Sequence, residues 1–185
     1  MYQDVIIAGF GGQGVMLIGN LLAYAGMNLG LQVTYMPVYG VEMRGGTANC
    51  TVVLSDQEIG SPIIYQPGSL IAMNQPSLEK FGPRLLPQGK LIYNSSIIQN
   101  SPELGLEQEA WAVPANQLAN ELGDTRMANM VILGAWVQAV GAVGLQAVQE
   151  SLQEVISSRN QHLMPINRQA LEAGAEHVSS LAAQE

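Results

Sequence analysis

The stretch DVIIAGFGGQG, Asp4–Gly14, decides the fold. Its first half is a short unbroken apolar run, the pattern of a strand buried on both faces of a largely parallel sheet. Its second half, Gly9-Phe10-Gly11-Gly12-Gln13-Gly14, matches G-x-G-x-x-G directly after that strand and at the mouth of a predicted helix. Glycines there permit positive φ and let backbone N–H groups approach a phosphate, which the positive end of the following helix also favours. The same glycines equally suit a tight strand-to-helix turn with close packing and no ligand.

Working outward, Val15 to Gly30 repeats apolar residues at helical spacing (Leu17, Leu21, Leu22, Ala25, Leu29) and stops at a glycine suited to a helix C-terminus. Leu31–Met36 is β-branched and aromatic, and Pro37 is expected to halt it as the second strand. Strand, turn, helix and strand make a right-handed crossover unit. Pro37–Gly46 reads as a loop with three glycines, and Asn49–Ser55 as a strand that introduces an antiparallel member. Ser69–Asn74, Lys90–Asn94 and Trp111–Pro114 are further strands, with a short helix started by Pro76 and Ser77. From Ala115 the pattern is mainly helical. The expected fold is α/β: a three-layer Rossmann-like domain with a mostly parallel sheet flanked by helices, one domain over residues 1–185.

Seven Lys and Arg stand against 15 Asp and Glu, a formal charge of -8, which argues against a general grip on nucleic-acid phosphates. Only 12% of residues are charged and the mean hydropathy is positive, so some apolar surface is expected to meet a partner. The single cysteine, Cys50, forms no intramolecular disulfide and falls short of the roughly four thiolates of an iron-sulfur cluster. No basic leader precedes the first strand, so a cytoplasmic location is expected. Between Arg126 and Glu150 no charge appears, yet Asn129, Gln138 and interspersed glycines, without flanking Lys/Arg asymmetry, point to a buried or subunit-contact helix rather than a membrane span.

The dinucleotide reading of the glycine loop calls for an acidic residue about 20 positions on, at the end of the second strand. That stretch is Tyr35-Met36-Pro37-Val38, and the first acid is Glu42. A free-standing NAD(P) module is therefore the second choice, and the lack of a Lys-Ser or Lys-Thr pair after Gly14 excludes a P-loop. A further signal is Tyr39-Gly40-Val41-Glu42-Met43-Arg44-Gly45-Gly46-Thr47. Arg44 offers a permanent cation with a fork of donors, and Gly45 and Gly46 permit a turn that presents N–H groups to an anion; a plain Arg44–Glu42 pair accounts for the same residues. His162 and His177 read as solvated helix residues, Cys50 as a small buried hydrophobe, and neither a metal set nor a nucleophile–base constellation assembles.

GFGGQG at Gly9–Gly14, MPVYGVEMRGGTANCTVVLS at Met36–Ser55, IGSP at Ile59–Pro62 and LIAMNQPSLEKF at Leu70–Phe81 together resemble the gamma subunit of 2-oxoacid:ferredoxin oxidoreductases, over most of the chain. The Glu-Met-Arg-Gly-Gly string resembles the 2-oxoglutarate or branched-chain members more than the pyruvate ones, with 2-oxoglutarate favoured. The resemblance implies a cytoplasmic hetero-oligomer that oxidatively decarboxylates a 2-oxoacid with coenzyme A, giving acyl-CoA, carbon dioxide and reduced ferredoxin. It implies thiamine diphosphate and magnesium between alpha and beta subunits, and iron-sulfur clusters on a ferredoxin-like delta subunit or on ferredoxin. This chain would hold no complete active site and no catalytic or metal-ligating residue. Its expected contact is with coenzyme A, through Gly9, Gly11, Gly12, Gln13, Gly14, Glu42, Arg44, Gly45 and Gly46. A purely structural role for the same glycines is the remaining alternative.

Overall fold

The computed structural model describes residues 1–38, 47–100 and 103–183. Six strands form one sheet: β1 (Tyr2–Phe10), β2 (Gln32–Val38), β3 (Thr47–Ser55), β4 (Ser69–Ala72), β5 (Lys90–Asn94) and β6 (Glu109–Val113), in the order β2-β3-β1-β4-β5-β6. β1, β4, β5 and β6 are parallel, while β3 runs antiparallel to both β1 and β2. The mixed sheet expected from the sequence is therefore present. Its antiparallel strand sits between β1 and β2 rather than at an edge.

β1 is central and buried from Asp4 to Gly9, which is why its sequence is continuous rather than alternating. Val5 and Ile7 face one cluster together with Ile71, Ile92 and the helices α1 (Val15–Asn28), α4 (Ala128–Val140) and α7 (Met164–Ala182). Ile6 and Ala8 face the other, with Leu70, Leu91 and the short helix α2 (Gln75–Phe81). Helices thus cover both faces of the sheet, making three layers, the second helical layer being thin. The helix α3 (Ala115–Glu121) follows β6, and α5 (Leu145–Glu150) and α6 (Leu152–Val155) connect α4 to α7.

The uncharged stretch after Arg126 is α4, 13 residues long and buried along ten of them, including Trp136. Among the described residues no helix is long and apolar enough to cross a membrane. Its glycine has a specific use: a Cβ on Gly134 would run into the carbonyl of Leu171, and one on Gly174 of α7 into that of Val131. The two backbones touch at these reciprocal glycines. Segment 56–68 carries the chain from the end of β3 to β4, which flanks β1 on the opposite side from β3. There the Asp4 carboxylate accepts the Gly68 N–H (2.6 Å), the Ser69 hydroxyl donates to the Asp4 carbonyl (2.6 Å), and Trp136 Nε1 donates to that hydroxyl (3.0 Å).

Two expectations are corrected. Pro37 does not end β2 but pairs within it opposite Cys50, because β2 is an edge strand and one N–H can be missing there at no cost to the ladder. His177 is not solvated: it is half-buried, and its Nε2 lies 3.0 Å from the Ala112 carbonyl of β6, so that the final helix is tied to the sheet edge.

Candidate functional site

The connection after β1 leads towards β2 on one side, and β4 lies on the other, so the chain leaves a crevice between the carboxyl ends of β1 and β4. Open α/β sheets bind ligands at such a switch point. The glycine loop fills one bank of it. Gly12 and Gly14 have φ of +94° and +76°, values that suit glycine, and Gly14 is the N-cap of α1 with no side-chain cap on the helix end. A Cβ on Gly12 would meet nothing, whereas one on Gly14 would strike the Asn129 amide. Gly9 is used differently, since a Cβ there would sit 2.9 Å from Met73 and 3.0 Å from Val15: its role is close packing of β1 against β4 and α1.

Gln13 sews the crevice shut beneath the loop. Its Oε1 accepts from the Phe10 N–H (2.6 Å) and from Asn74 Nδ2 (2.9 Å), and its Nε2 donates to the Met73 carbonyl (3.3 Å). Asn74 in turn caps α2 through the Ser77 N–H (2.9 Å). The Gln13 amide is therefore engaged by the protein, and the loop is held rigid from within.

A cleft of about 190 Å³ opens above, lined by Gly12, Gln13, Gly14, Met73, Asn116, Thr125, Arg126, Ala128 and Asn129. The N-terminus of α1 faces it at Gly14 without a side-chain cap, whereas the start of α4 is continued backward by the turn Thr125–Met127, which the Asp124 carboxylate caps at the Arg126 N–H (3.0 Å), and Asn129 Oδ1 accepts the Met130 N–H (2.9 Å). The α1 end presents the positive end of a helix dipole, and no carboxylate is among the residues that line the cleft. Arg126 stands on the opposite bank, largely exposed. Asp124 fixes it through Nε to Oδ1 (2.9 Å) and Nη2 to Oδ2 (2.6 Å), which leaves the other guanidinium N–H groups for a further acceptor. That pairing and the Arg126 backbone N–H hold the Asp124 carboxyl below the usual carboxylate range. Such an arrangement can bind an anion of phosphate type, and its lining residues include no His, Cys, Lys, Asp or Glu.

Of the residues singled out from sequence, Gly12, Gln13 and Gly14 line the cleft, and Gly9 and Gly11 do not. Glu42, Arg44, Gly45 and Gly46 lie outside the described residues. Of the residues that flank them, Val38 ends β2 and Thr47, which pairs with Phe10, begins β3, both at the carboxyl edge that carries the cleft. β2 contains no acid. Cys50 is wholly buried, its Sγ directed at the Val15 carbonyl (3.5 Å), and burial pushes its thiol up to about 12. Sequence reasoning missed Arg126, Asn116 and Asn129, which arrive from segments more than 100 residues downstream of the loop; the available signal was that Arg126 is one of only 7 basic residues and sits immediately before an apolar helix.

Residues 4–177 match the family model described as pyruvate ferredoxin/flavodoxin oxidoreductase. Over 175 residues the chain is 41% identical to the ketoisovalerate oxidoreductase subunit VorA of Methanothermobacter thermautotrophicus, a match covering 93% of this chain and 35% of that one. It is 35% identical over 182 residues to the 2-oxoglutarate synthase subunit KorC of Methanothermobacter marburgensis, covering 95% and 96%. The chain thus spans about a third of the VorA relatives and nearly all of the KorC relative. Among solved structures, the gamma subunit of a keto/oxoacid ferredoxin oxidoreductase from Geobacter sulfurreducens superposes with a TM-score of 0.83 at 27% identity, covering 96% of this chain and 99% of that one.

Proposed function

This chain belongs to the pyruvate ferredoxin/flavodoxin oxidoreductase family, and from that membership we propose that it serves as the gamma subunit of a cytoplasmic complex that oxidatively decarboxylates a 2-oxoacid with coenzyme A and reduces ferredoxin. Its own part is to hold the phosphate groups of coenzyme A in the cleft at the switch point. The observation that supports this is the convergence of the Gly12–Gly14 turn, the uncapped N-terminus of α1 and Arg126 on one crevice whose lining holds no carboxylate. Arg44 is proposed as a second cation, with Gly45 and Gly46 next to it in the sequence.

Thiamine diphosphate with its magnesium supplies the decarboxylation chemistry, and iron-sulfur clusters carry the electrons, on the alpha, beta and ferredoxin-like partner chains. With one buried cysteine, this chain offers no thiolate set for a cluster. Its residues bind and orient: the glycine backbone permits close approach, the N-terminus of α1 favours the negative charge, and Arg126, already steered by Asp124, needs little ordering when the anion arrives. For the 2-oxoacid, 2-oxoglutarate is the first reading from the Glu42–Gly46 string, and ketoisovalerate is the second, favoured by the 41% identity to VorA. A panel of 2-oxoacids assayed on the purified complex distinguishes them.

The cleft is tested by Arg126→Ala and Arg44→Ala in the assembled complex. Loss of a charge-assisted contact worth about 1.4 kcal/mol raises the Michaelis constant for coenzyme A roughly tenfold with kcat little changed. An unchanged constant in both variants, with normal assembly, refutes the role.

A further inference from the structure

Three side-chain amides line the cleft, and the protein uses them differently. Gln13 spends both of its ends on Phe10, Met73 and Asn74. Asn116 and Asn129 spend only their oxygens. At Asn129 the backbone settles which end is which: the Met130 N–H is a donor, so the side-chain atom it meets (2.9 Å) is Oδ1, and Nδ2 is turned to Gly14, where a Cβ would strike it. At Asn116 the same logic runs through one more residue. The Ser96 N–H donates to Oδ1 of the fully buried Asn94 (3.2 Å), so Asn94 presents its Nδ2, and Asn116 accepts from that with its own Oδ1 (2.7 Å).

Neither free Nδ2 has an acceptor among the described residues. Asn129 is only 6% exposed, and an amide so nearly enclosed satisfies its two N–H groups only through the cleft. These donors join the uncapped N-terminus of α1 and the guanidinium N–H groups that Arg126 does not give to Asp124. On the acceptor side the lining is poor. The Gln13 oxygen and the Met73 carbonyl are already taken, and the Thr125 hydroxyl can turn to donate.

Resting on the functional reading above, we infer that Asn116 and Asn129 are specificity-determining residues of this cleft: their NH2 groups bind oxygens of a phosphate group that carries no proton. A protonated oxygen must donate somewhere, and here it would face other donors. Both the diphosphate of coenzyme A and its terminal phosphate monoester, above its second ionisation at about pH 6, meet that condition. Neutral donors suit the enclosed side of the site, since they bind the anion without the cost of burying a cation, and Arg126 keeps its charge at the exposed bank.

The assembled complex is the material for the test. Asn116→Asp and Asn129→Asp keep the oxygen that serves Asn94 or Met130 and replace the free NH2 by a negative oxygen of nearly the same shape. Each raises the dissociation constant for coenzyme A, measured by equilibrium dialysis, and its Michaelis constant by at least about tenfold, with kcat and the Michaelis constant for the 2-oxoacid little changed. Asn120→Asp, exposed on α3 and outside the cleft, adds the same charge and leaves both coenzyme A constants as in wild type. At about pH 6, inorganic sulfate, which carries no proton, displaces coenzyme A from the wild-type complex at a concentration at least about tenfold lower than inorganic phosphate, which does. Dephospho-coenzyme A separates the two sources: an equal penalty in the Asp variants assigns the contact to the diphosphate, and a vanished one to the terminal monoester. Circular dichroism melts and subunit composition establish that each variant is folded and assembled, and the partly exposed Asn116 carries the test if Asn129→Asp fails to fold. Unchanged constants in either folded, assembled variant, or phosphate competing as well as sulfate, overturn the inference. If Arg126→Ala still raises the coenzyme A constant, the functional reading survives that result; constants unchanged in all three variants remove the reading as well.

Discussion

Asp4 shows how one side chain is committed to architecture against its own preference. It is a carboxylate at the buried start of the central strand, and burial pushes its pKa up, offset only in part by the Gly68 N–H. A folded-state pKa above the unfolded value, about 3.9, favours the fold fully at pH below that value and loses the benefit as pH rises through the folded pKa. Asp4→Asn keeps an acceptor for Gly68 and removes the buried charge. Its melting temperature relative to wild type is therefore expected to improve between about pH 3.5 and pH 7; a difference that stays constant across that window shows that Asp4 bears no buried charge. Gln13 makes the parallel point at the cleft: in the sequence it stands in a glycine motif of phosphate-binding pattern, and in the fold its amide is spent on Phe10, Met73 and Asn74.

Among elements, α4 and α7 meet backbone to backbone at reciprocal glycines, within a core that also holds Val131, Trp136, Leu171 and Val178. Gly134→Ala and Gly174→Ala each place a methyl group against backbone, which cannot yield as a side-chain tip can. The expected cost is about 3 kcal/mol, or roughly 6–12 °C in melting temperature for a chain of this size. Calorimetry of the single and double variants checks this, and the double variant should fall short of the sum because both glycines serve one contact. Loss below about 1 kcal/mol would mean that the helices separate cheaply.

On the scale of the molecule, the cleft stands at the carboxyl edge of the sheet, and exposed apolar side chains such as Tyr2, Tyr65 and Leu86 stand at the other. The strands between them are the rigid spacer. β1 and β4 are flanked on both sides by other strands and covered by helices, while β2 and β6 are edges. Hydrogen exchange followed by mass spectrometry should find amides of β1 and β4 exchanging at least about tenfold more slowly than those of β2 and β6. Equal rates would mean that the sheet opens as one unit.

The amino-acid order by itself determined the α/β class, the strand-turn-helix at Asp4–Gly14, the strand positions to within a few residues and the family resemblance, because buried-strand runs, helical spacing and glycine turns are encoded by neighbours in the chain. It also set the absence of a thiolate cluster, since a count of one cysteine needs no geometry. The tertiary structure alone decided that Pro37 lies in an edge strand, that Gly9 is for packing while Gly12 and Gly14 face a cleft, and that His177 is tied to β6. It alone brought Arg126 and Asn129 opposite residues more than 100 positions earlier. Those facts depend on which strands become neighbours and where a crossover reverses, and no local pattern of residues carries that information.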